Sequence, residues 1–312
     1  MQDRSLARLL QTPAVVLLLI WMLVPLGMTL FFSFIRYVLT SLNRPEWTKP
    51  SIDNWRGLGN YEFVWKNDGF WLAIYNSVLM VGSILVLTVI LGLAIAVLIN
   101  RAFPGRGIVR VLLISPFFVM PAVNAVLWIN MILDPVLGLQ GLAVAGVNDM
   151  MDGLRTFPVL GGFFSLWPEF EPISFRATQT SAYAVIMMVT WQWTPFAVLI
   201  FMTSLQSEDQ QQKEAAILDG ANAWSRFRNL TLPHLGRPIA IVIMIQAIFH
   251  LSLYAEIEIV SRGNGNKNLP YLIGEFASNN IGAASATGIY AVILANLIAI
   301  FLHRMDGKTL MD

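Results

Sequence analysis

The sequence predicts an all-α polytopic membrane protein with six transmembrane helices. The chain has 312 residues, of which 56% are hydrophobic and 12% are charged, whereas soluble domains carry about 25% charged residues. The mean hydropathy is +0.63. Six long runs contain no Asp, Glu, Lys or Arg, and a spanning helix needs about 20 apolar residues. These observations place the chain among polytopic membrane proteins before any motif is considered.

The six uncharged runs predict the boundaries of the transmembrane helices within a single transmembrane domain, 1–312. The fifth run is the shortest, and Glu256 follows it closely. Pro116 and Pro121 interrupt the third run and Pro195 interrupts the fourth, and such breaks occur where neighbouring protein or a water-filled path satisfies the freed backbone groups. The predicted helices are 13–35, 70–100, 111–133, 177–207, 239–255 and 276–302.

Lys and Arg are denser on one side of this topology. With the N-terminus inside, the inner segments hold eleven Lys and Arg in 63 residues, against nine in 97 residues outside. Arg101, Arg106 and Arg110 share one short loop that has no acidic residue. Because short cytoplasmic loops are enriched in Lys and Arg, we predict that both termini and the polar segment 208–238 are cytoplasmic.

The predicted external segment 36–69 mixes aromatic side chains with charges. Two interpretations stay open, an aromatic belt at the membrane interface and a docking surface for an external partner. The aromatic residues concerned are Trp47, Trp55, Tyr61 and Trp65.

Composition and missing motifs argue against several classes of function. The net charge of +1 gives no indication of nucleic-acid binding, and the absence of Cys excludes disulfides, thiolate metal sites and a cysteine nucleophile. The three His are dispersed along the chain, so no metal site is predicted. No G-x-x-x-x-G-K-[S/T] motif is present, and no catalytic constellation indicates an enzyme. The first apolar run is too long for a typical signal-peptide core.

Segment 208–238 is a polar excursion between two uncharged runs. An apolar residue recurs in it every third position, which makes a stripe on one side of a helix, and Asp219-Gly220 interrupts the stripe with a turn signal. We predict a short helix, a glycine turn, a second short helix and then re-entry into the membrane. The stripe is Leu218, Ala221, Trp224, Phe227 and Leu230.

The same segment carries a motif at fixed spacing. Its residues are Glu214, Ala215, Ala216, Asp219, Gly220, Ala221, Phe227, Leu232 and Pro233. This constellation resembles the EAA motif of the permease subunits of ABC importers. Residues 100–110, Ser115-Pro116, Asp134-Pro135 and Trp191-Gln192 are similar to carbohydrate-type permeases, and the run SPFFVMPAVNAVLW is most similar to sorbitol/mannitol-type polyol permeases. One departure is 261–266, where many relatives have a Gly-Gly-Pro run.

The resemblance implies the type I ABC importer permease fold in the bacterial inner membrane. The chain would bind no cofactor itself and would assemble with a second homologous permease chain, two ATPase subunits that bind ATP and Mg, and an external solute-binding protein. Segment 208–238 would be the coupling helix, with Glu214 pairing with a basic residue of the ATPase. Trp224 and Phe227 would attach the second short helix to this chain's own membrane helices. The alternative is an interfacial amphipathic helix without a partner.

Polar residues at membrane depth predict the substrate pathway, because such groups usually face the bundle or a cavity. Asn124 follows the Pro121 break and Gln192 precedes Pro195, so these two are the preferred candidates. The alternative for each is an interhelical hydrogen bond, and His250 is interpreted as a packing residue. The full set of candidates is Asn124, Trp191, Gln192, Trp193, Gln246, Tyr254 and Glu256.

The predicted function is ATP-driven import of a carbohydrate or polyol by alternating access. The absence of Lys and Arg from the six runs favours a neutral substrate, although an anionic one such as a sulfosugar glycoside stays open because the partner permease contributes half of the site. The alternative function is an ion-coupled secondary transporter of a small polar solute. Such a transporter normally needs an intramembrane carboxylate or a sodium site. None of the six runs contains Asp or Glu, and Glu256 directly follows the fifth run.

Overall fold

The computed structural model describes residues 2–39, 44–101, 103–157 and 161–309, and within these ranges the regular structure is helical. Two isolated β-bridges, Ile35 with Trp55 and Val38 with Asn280, are the extended pairings found there. The all-α prediction is confirmed. The α-helices are α1 Gln2–Phe34, α2 Gly59–Trp65, α3 Asp68–Ile99, α4 Arg106–Ile114, α5 Pro121–Leu127, α6 Leu139–Arg155, α7 Gly161–Phe164, α8 Ser181–Gln206, α9 Gln210–Leu218, α10 Ala223–Arg226, α11 Leu232–His234, α12 Gly236–His250, α13 Ala255–Ser261, α14 Leu269–Ala277 and α15 Ile281–Thr309.

Among the described residues, four helices are long and apolar enough to cross a membrane. These are Leu10–Phe34 within α1, all of α3 and α8, and Ile281–Phe301 within α15. Two bent pairs pass the same test together: Arg106–Phe118 with Pro121–Ile132, and Ala223–His234 with Gly236–His250. Counting each bent pair as one span gives six, the number that the uncharged runs predict. The second pair, however, begins at Ala223, within segment 208–238, whereas the fifth predicted helix begins at position 239.

The third span is broken where the two prolines stand. A 3-10 helix covers Ser115–Phe118, the backbone is extended at Val119 and Met120, and α5 begins at Pro121 after a bend of 103°. A proline disfavours the helical conformation in the residue before it and is well tolerated at the first position of a helix. By contrast, α8 continues through Pro195 without a break.

The chain divides into two compact units. The first comprises Met1–Ile74 and Leu269–Leu297. In this unit the buried Asn60 donates hydrogen bonds to the carbonyl oxygens of Ser33 and Ile35, at 2.9 and 2.7 Å. A Cβ at Gly282 would lie 2.6 Å from the Ile35 carbonyl oxygen, so the start of α15 packs against the end of α1 at a distance that glycine alone permits.

The second unit comprises Tyr75–Asn268 and Ile298–Asp312. Its apolar core joins the C-terminal part of α3, the C-terminal half of α8 and the N-terminal half of α12. At Gly92 of α3 a Cβ would lie 2.7 Å from the Ala197 side chain of α8, so the two helices are in close contact there. The buried members of this core are Ala96, Ile99, Ala197, Val198, Phe201, Met202, Leu205, Leu235 and Val242.

Candidate functional site

The polar segment 208–238 forms a defined helix–turn–helix at the end of α8. Asp209 caps α9, because its side chain accepts a hydrogen bond from the backbone N–H of Gln211 at 2.8 Å. Asn222 caps α10 in the same way, accepting from the Ser225 N–H at 2.8 Å. A π-helical turn, Phe227–Thr231, and α11 then lead to α12 through a bend of 56°.

Gly220 makes the turn between the two short helices. Its φ is +80°, a left-handed conformation that residues with a side chain rarely adopt. The Gly220 N–H donates to the Ile217 carbonyl at 3.0 Å, and the Ala221 N–H donates to the Ala216 carbonyl at 2.9 Å. These two bonds form a Schellman motif, so the Asp-Gly pair ends α9 with its last carbonyl groups satisfied.

The base of the segment is held to α8 by side-chain contacts. The Glu208 carboxylate lies 3.0 Å from the Lys213 ammonium and accepts a hydrogen bond from the Thr231 hydroxyl at 2.9 Å. The Glu208 side chain is only 7% exposed. His234 Nε2 lies 2.9 Å from the Ser204 carbonyl of α8, and since a carbonyl can only accept, this nitrogen is the donor. We call these contacts the base clamp.

Behind the base clamp lies a small cavity of about 180 Å³, between the segment and the ends of α3 and α8. The half-buried Phe227 lines it, together with Val97, Leu205 and the charged side chains of the clamp. Arg226 also lines the cavity, and its guanidinium donates to the Ala221 carbonyl at 2.7 Å. Phe227 therefore faces the ends of α3 and α8 across this cavity.

The far side of the segment is exposed and partly apolar. Leu218 is 88% exposed and Trp224 is 68% exposed, and the Trp224 ring stacks on Phe227 at 5.7 Å. Glu214, Ala215 and Gly220 are also exposed, whereas Ala216 and Ala221 are half-buried by the turn. The prediction that Trp224 attaches the segment to this chain's own membrane helices is wrong, because its ring stands on the exposed side. We call Glu214, Ile217, Leu218 and Trp224 the exposed tip.

Asn124 and Gln192, the two preferred pathway candidates, are in direct contact. The Asn124 amide nitrogen donates to the Gln192 side-chain oxygen at 3.0 Å and to the Met188 carbonyl at 3.1 Å. The Gln192 amide nitrogen donates to the Val119 carbonyl, which lies in the extended stretch before Pro121. Both side chains are buried. The pair therefore satisfies the Val119 carbonyl in the proline break and forms an interhelical hydrogen-bond network between α5 and α8.

A larger apolar cavity of about 680 Å³ opens between α3, α4 and α8. Trp128 and Trp191 stand on its wall with their rings edge to face at 5.9 Å, and Thr190 and Thr194 add hydroxyl groups. The wall carries no charged side chain: Leu87, Leu91, Ile95, Val109, Leu112, Leu113, Pro116, Trp128, Met187, Thr190, Trp191, Thr194 and Pro195. Of the pathway candidates, Trp191 lies here, whereas Asn124 and Gln192 are buried behind it.

The other pathway candidates lie elsewhere in the second unit. Trp193 packs edge to face on His250 at 4.9 Å and contacts Phe249 at 5.2 Å. Gln246 is buried on α12, Tyr254 is exposed just before α13, and Glu256 is buried on α13. α13 packs against α5 and α8, and burial raises the pKa of the Glu256 carboxyl above its ordinary value. These candidates therefore lie on elements that pack against one another, and Asn124 and Gln192 are joined directly by a hydrogen bond.

Sequence reasoning missed Glu208, Thr231 and His234 of the base clamp. Glu208 and Thr231 are 23 positions apart and meet because the π-helical turn Phe227–Thr231 brings the chain back to the end of α8. The five-residue spacing of Glu208 and Lys213 was the sequence signal that could have predicted their ion pair. It is weak by itself because α9 begins between the two residues.

Most of the chain matches a known protein family. The family described as "Binding-protein-dependent transport system inner membrane component" matches residues 88–308, which include the exposed tip, the base clamp and the Asn124–Gln192 pair. The chain belongs to this family. As an inner membrane component of a transport system it is a permease and not an enzyme, which confirms both of those predictions.

Relatives of this inner membrane component cover nearly its whole length. A probable ABC transporter permease protein of Sinorhizobium fredii is 32% identical over 293 residues, covering 91% of this chain and 86% of the relative. The trehalose/maltose transport system permease protein of Thermococcus litoralis is 27% identical over 301 residues, covering 94% and 90%. Relatives of this kind confirm the resemblance to ABC importer permeases.

The fold of the permease also matches a solved structure, that of a bacterial alginate ABC transporter in complex with an alginate pentasaccharide-bound periplasmic protein. The TM-score is 0.73 with 19% sequence identity, over 98% of this chain and 96% of the other. Identity at this level supports the fold alone. The predicted importer permease fold is confirmed.

Proposed function

We propose that this chain is the permease subunit of an ATP-driven importer and that segment 208–238 is its coupling element. The observation that carries the proposal is the construction of the segment, which has a clamped base at the end of α8 and an exposed tip that combines Leu218 and Trp224 with the Glu214 carboxylate. Exposed aromatic and aliphatic side chains of this kind are typical of protein interfaces.

The segment is suited to transmitting force. Its tip would sit on an ATPase subunit, with Glu214 paired to a basic residue and Ala215 permitting close approach of the partner's backbone. Its base is tied to α8 by the clamp and continues into α12 through the bend at Leu235 and Gly236. Movement of the tip when the ATPase subunits close on ATP is therefore delivered to two membrane helices at once.

The assembly we propose contains a second permease chain, two ATPase subunits that bind ATP and Mg, and an external solute-binding protein. Arg101 lies just before α4, and Arg106 and Arg110 lie in its first two turns. This cluster supports a cytoplasmic location for the beginning of α4, for segment 208–238 and for both termini. The alginate transporter was solved in complex with an alginate pentasaccharide-bound periplasmic protein, which supports an external partner.

The proposed substrate is a neutral carbohydrate or polyol. Sugars present C–H faces that pack on aromatic rings, and the cavity beside α8 offers Trp128, Trp191 and two threonine hydroxyls without any charged group. Its volume of about 680 Å³ lies in the usual range of about 300–1,000 Å³ for small-molecule sites. The Asn124–Gln192 pair is buried behind Trp191. It would become part of the pathway when the proline break before Pro121 opens. The solute could be a sugar, a polyol or a sulfosugar glycoside. Calorimetry of the solute-binding protein against a panel of these solutes would show which of them it binds.

The coupling role is tested by reversing one charge on the exposed tip. In the complete transporter, Glu214→Lys is expected to abolish solute uptake that depends on ATP, because the new ammonium would meet the basic residue of the ATPase and like charges at an interface cost several kcal/mol. Uptake into vesicles and ATP hydrolysis are measured on the same preparation.

The matched control is Gln212→Lys, which places the same charge on the opposite face of α9, where Gln212 is also exposed. We expect normal uptake from this variant. If Glu214→Lys transports as well as Gln212→Lys, the coupling assignment is wrong.

A further inference from the structure

Two arginines stand one turn apart at the beginning of α4. Arg106 is the first residue of the helix and Arg110 lies four positions later, and residues at this spacing lie above one another on a helix. Both side chains are half-buried. The sequence has no Asp or Glu from position 69 to position 133, and none of the ion pairs found among the described residues involves either arginine.

The two guanidinium groups contain N–H groups that are shielded from solvent and unpaired. Nε of Arg106 and Nε and Nη2 of Arg110 make no hydrogen bond within the part of the chain that the structure describes. An arginine that only marks the cytoplasmic side of a membrane protein can keep its charged group in water. Because burial of an unpaired charged donor is unfavourable, the pair lacks an acceptor that another molecule would have to bring.

The surroundings of the pair indicate what kind of molecule brings the acceptor. α4 and the 3-10 helix after it form the first arm of the broken third span. Beyond Arg110 this arm has no charged residue, and Val111 and Phe118 are 70% and 77% exposed. In the proposed topology the arginines lie at the level of the lipid headgroups in the cytoplasmic leaflet, which carries anionic lipids. The apolar side chains beyond them lie at the level of the acyl chains.

We infer that Arg106 and Arg110 bind the phosphate of an anionic phospholipid from the cytoplasmic leaflet, with its acyl chains along the apolar part of the same arm. A guanidinium can donate two parallel hydrogen bonds to phosphate oxygens, so two guanidinium groups on one helix face can share one phosphate diester. A phospholipid matches both the cations and the exposed apolar side chains, whereas free phosphate matches the cations alone. The inference rests on the cytoplasmic location in the proposed function and adds a lipid ligand to it.

The affinity of the unmodified chain for defined lipids tests the inference. The full chain is purified with its partner subunits in a neutral detergent, and native mass spectrometry measures the Kd for phosphatidylglycerol and for phosphatidylcholine with the same acyl chains. We expect phosphatidylglycerol to bind at least about tenfold more tightly, because its headgroup is anionic and two cations face it. Equal affinity for the two lipids would overturn the inference, and this comparison needs no variant.

A competition experiment separates a lipid from a free anion. Inorganic phosphate is added to the complex with phosphatidylglycerol at the same concentration as the lipid. We expect the lipid to stay bound, because the apolar side chains hold its acyl chains. Displacement of the lipid by inorganic phosphate would overturn the assignment to a phospholipid.

Matched variants locate the site on α4. We expect Arg106→Gln and Arg110→Gln to weaken phosphatidylglycerol binding about fivefold singly and about thirtyfold together. The double lysine variant should give an intermediate affinity, because an ammonium keeps the charge without the bidentate geometry. Arg101→Gln is the control, since Arg101 is exposed and precedes the helix, and it should bind the lipid normally. Normal binding by the double glutamine variant, or equal loss in Arg101→Gln, would show that the pair is not the site.

The competing acceptor is a carboxylate of a partner subunit. In that case the double glutamine variant would lose a partner subunit on purification while the unmodified chain bound both lipids equally, and this result would overturn the inference. Lipid binding is measured without ATP. Failure of ATP-dependent uptake by the unmodified transporter would therefore contradict the proposed function, whereas the lipid affinities decide the present inference.

Discussion

At the residue scale, the Glu208 carboxylate joins two parts of segment 208–238, the proposed coupling element. This buried group joins Lys213 of α9 to Thr231 of the π-helical turn, so one side chain connects both ends of the segment to the end of α8. Removing one partner of a buried charge pair leaves the other charge unsatisfied, which is more damaging than losing the pair together.

Charge exchange at this pair gives a specific prediction. Glu208→Lys or Lys213→Glu alone should lower the number of solute molecules moved per ATP hydrolysed and should lower the melting temperature, since a hydrogen bond to a charged group contributes about 1.5–3 kcal/mol. The double variant, Glu208→Lys with Lys213→Glu, should recover most of the transport-to-ATP ratio and of the melting temperature. The Thr231 hydroxyl can accept a hydrogen bond from a lysine as well as donate one to a carboxylate. If each single variant keeps the full transport-to-ATP ratio, the clamp has no part in coupling.

At the element scale, Gly220 sets the angle between α9 and α10. Among the described residues, no atom lies within 4 Å of a Cβ built at Gly220, so a Gly220→Ala variant tests the backbone conformation without a steric clash. The left-handed conformation costs a residue with a side chain about 1–2 kcal/mol, and we expect the exposed tip to be displaced and ATP-dependent uptake to fall. Uptake and co-purification of the ATPase are measured together.

Gly107→Ala is the matched control. Gly107 lies in the first turn of α4, next to the same side of the membrane in the proposed topology, and it too has open space around a Cβ but no left-handed φ. This variant should transport normally. Equal loss of uptake in the two variants would show that the turn at Gly220 has no special importance.

Several elements were predictable from the sequence because local rules determine them. Pro116 and Pro121 broke the third span at the predicted place, and Asp219-Gly220 ended α9 as its residue types require. The contacts that complete these elements were not predictable. The Gln192 amide satisfies Val119 from another helix, and the stripe that includes Leu218 and Trp224 resembles a buried face in the sequence although both side chains are exposed. An interface for a missing partner and a core-facing stripe have the same periodicity, so sequence alone does not separate them.

At the scale of the whole molecule, the second unit holds the elements of the proposed function along one stretch of chain. In this proposal the exposed tip receives the signal, the base clamp passes it to α8, and the bend at Leu235 and Gly236 passes it to α12. α8 also carries Trp191 and Gln192 of the proposed pathway. The chain would then contribute the pathway and the coupling element, and other subunits would supply the energy.

We predict that transport by this chain requires an ATPase partner, and reconstitution measures this requirement directly. The permease chains are placed in vesicles with the solute-binding protein, with or without the ATPase subunits, and accumulation of a labelled neutral sugar or polyol is followed. We predict accumulation only when ATPase subunits, ATP and Mg are all present, and none with a proton or sodium gradient alone. Accumulation driven by an ion gradient in vesicles without ATPase subunits would contradict the account.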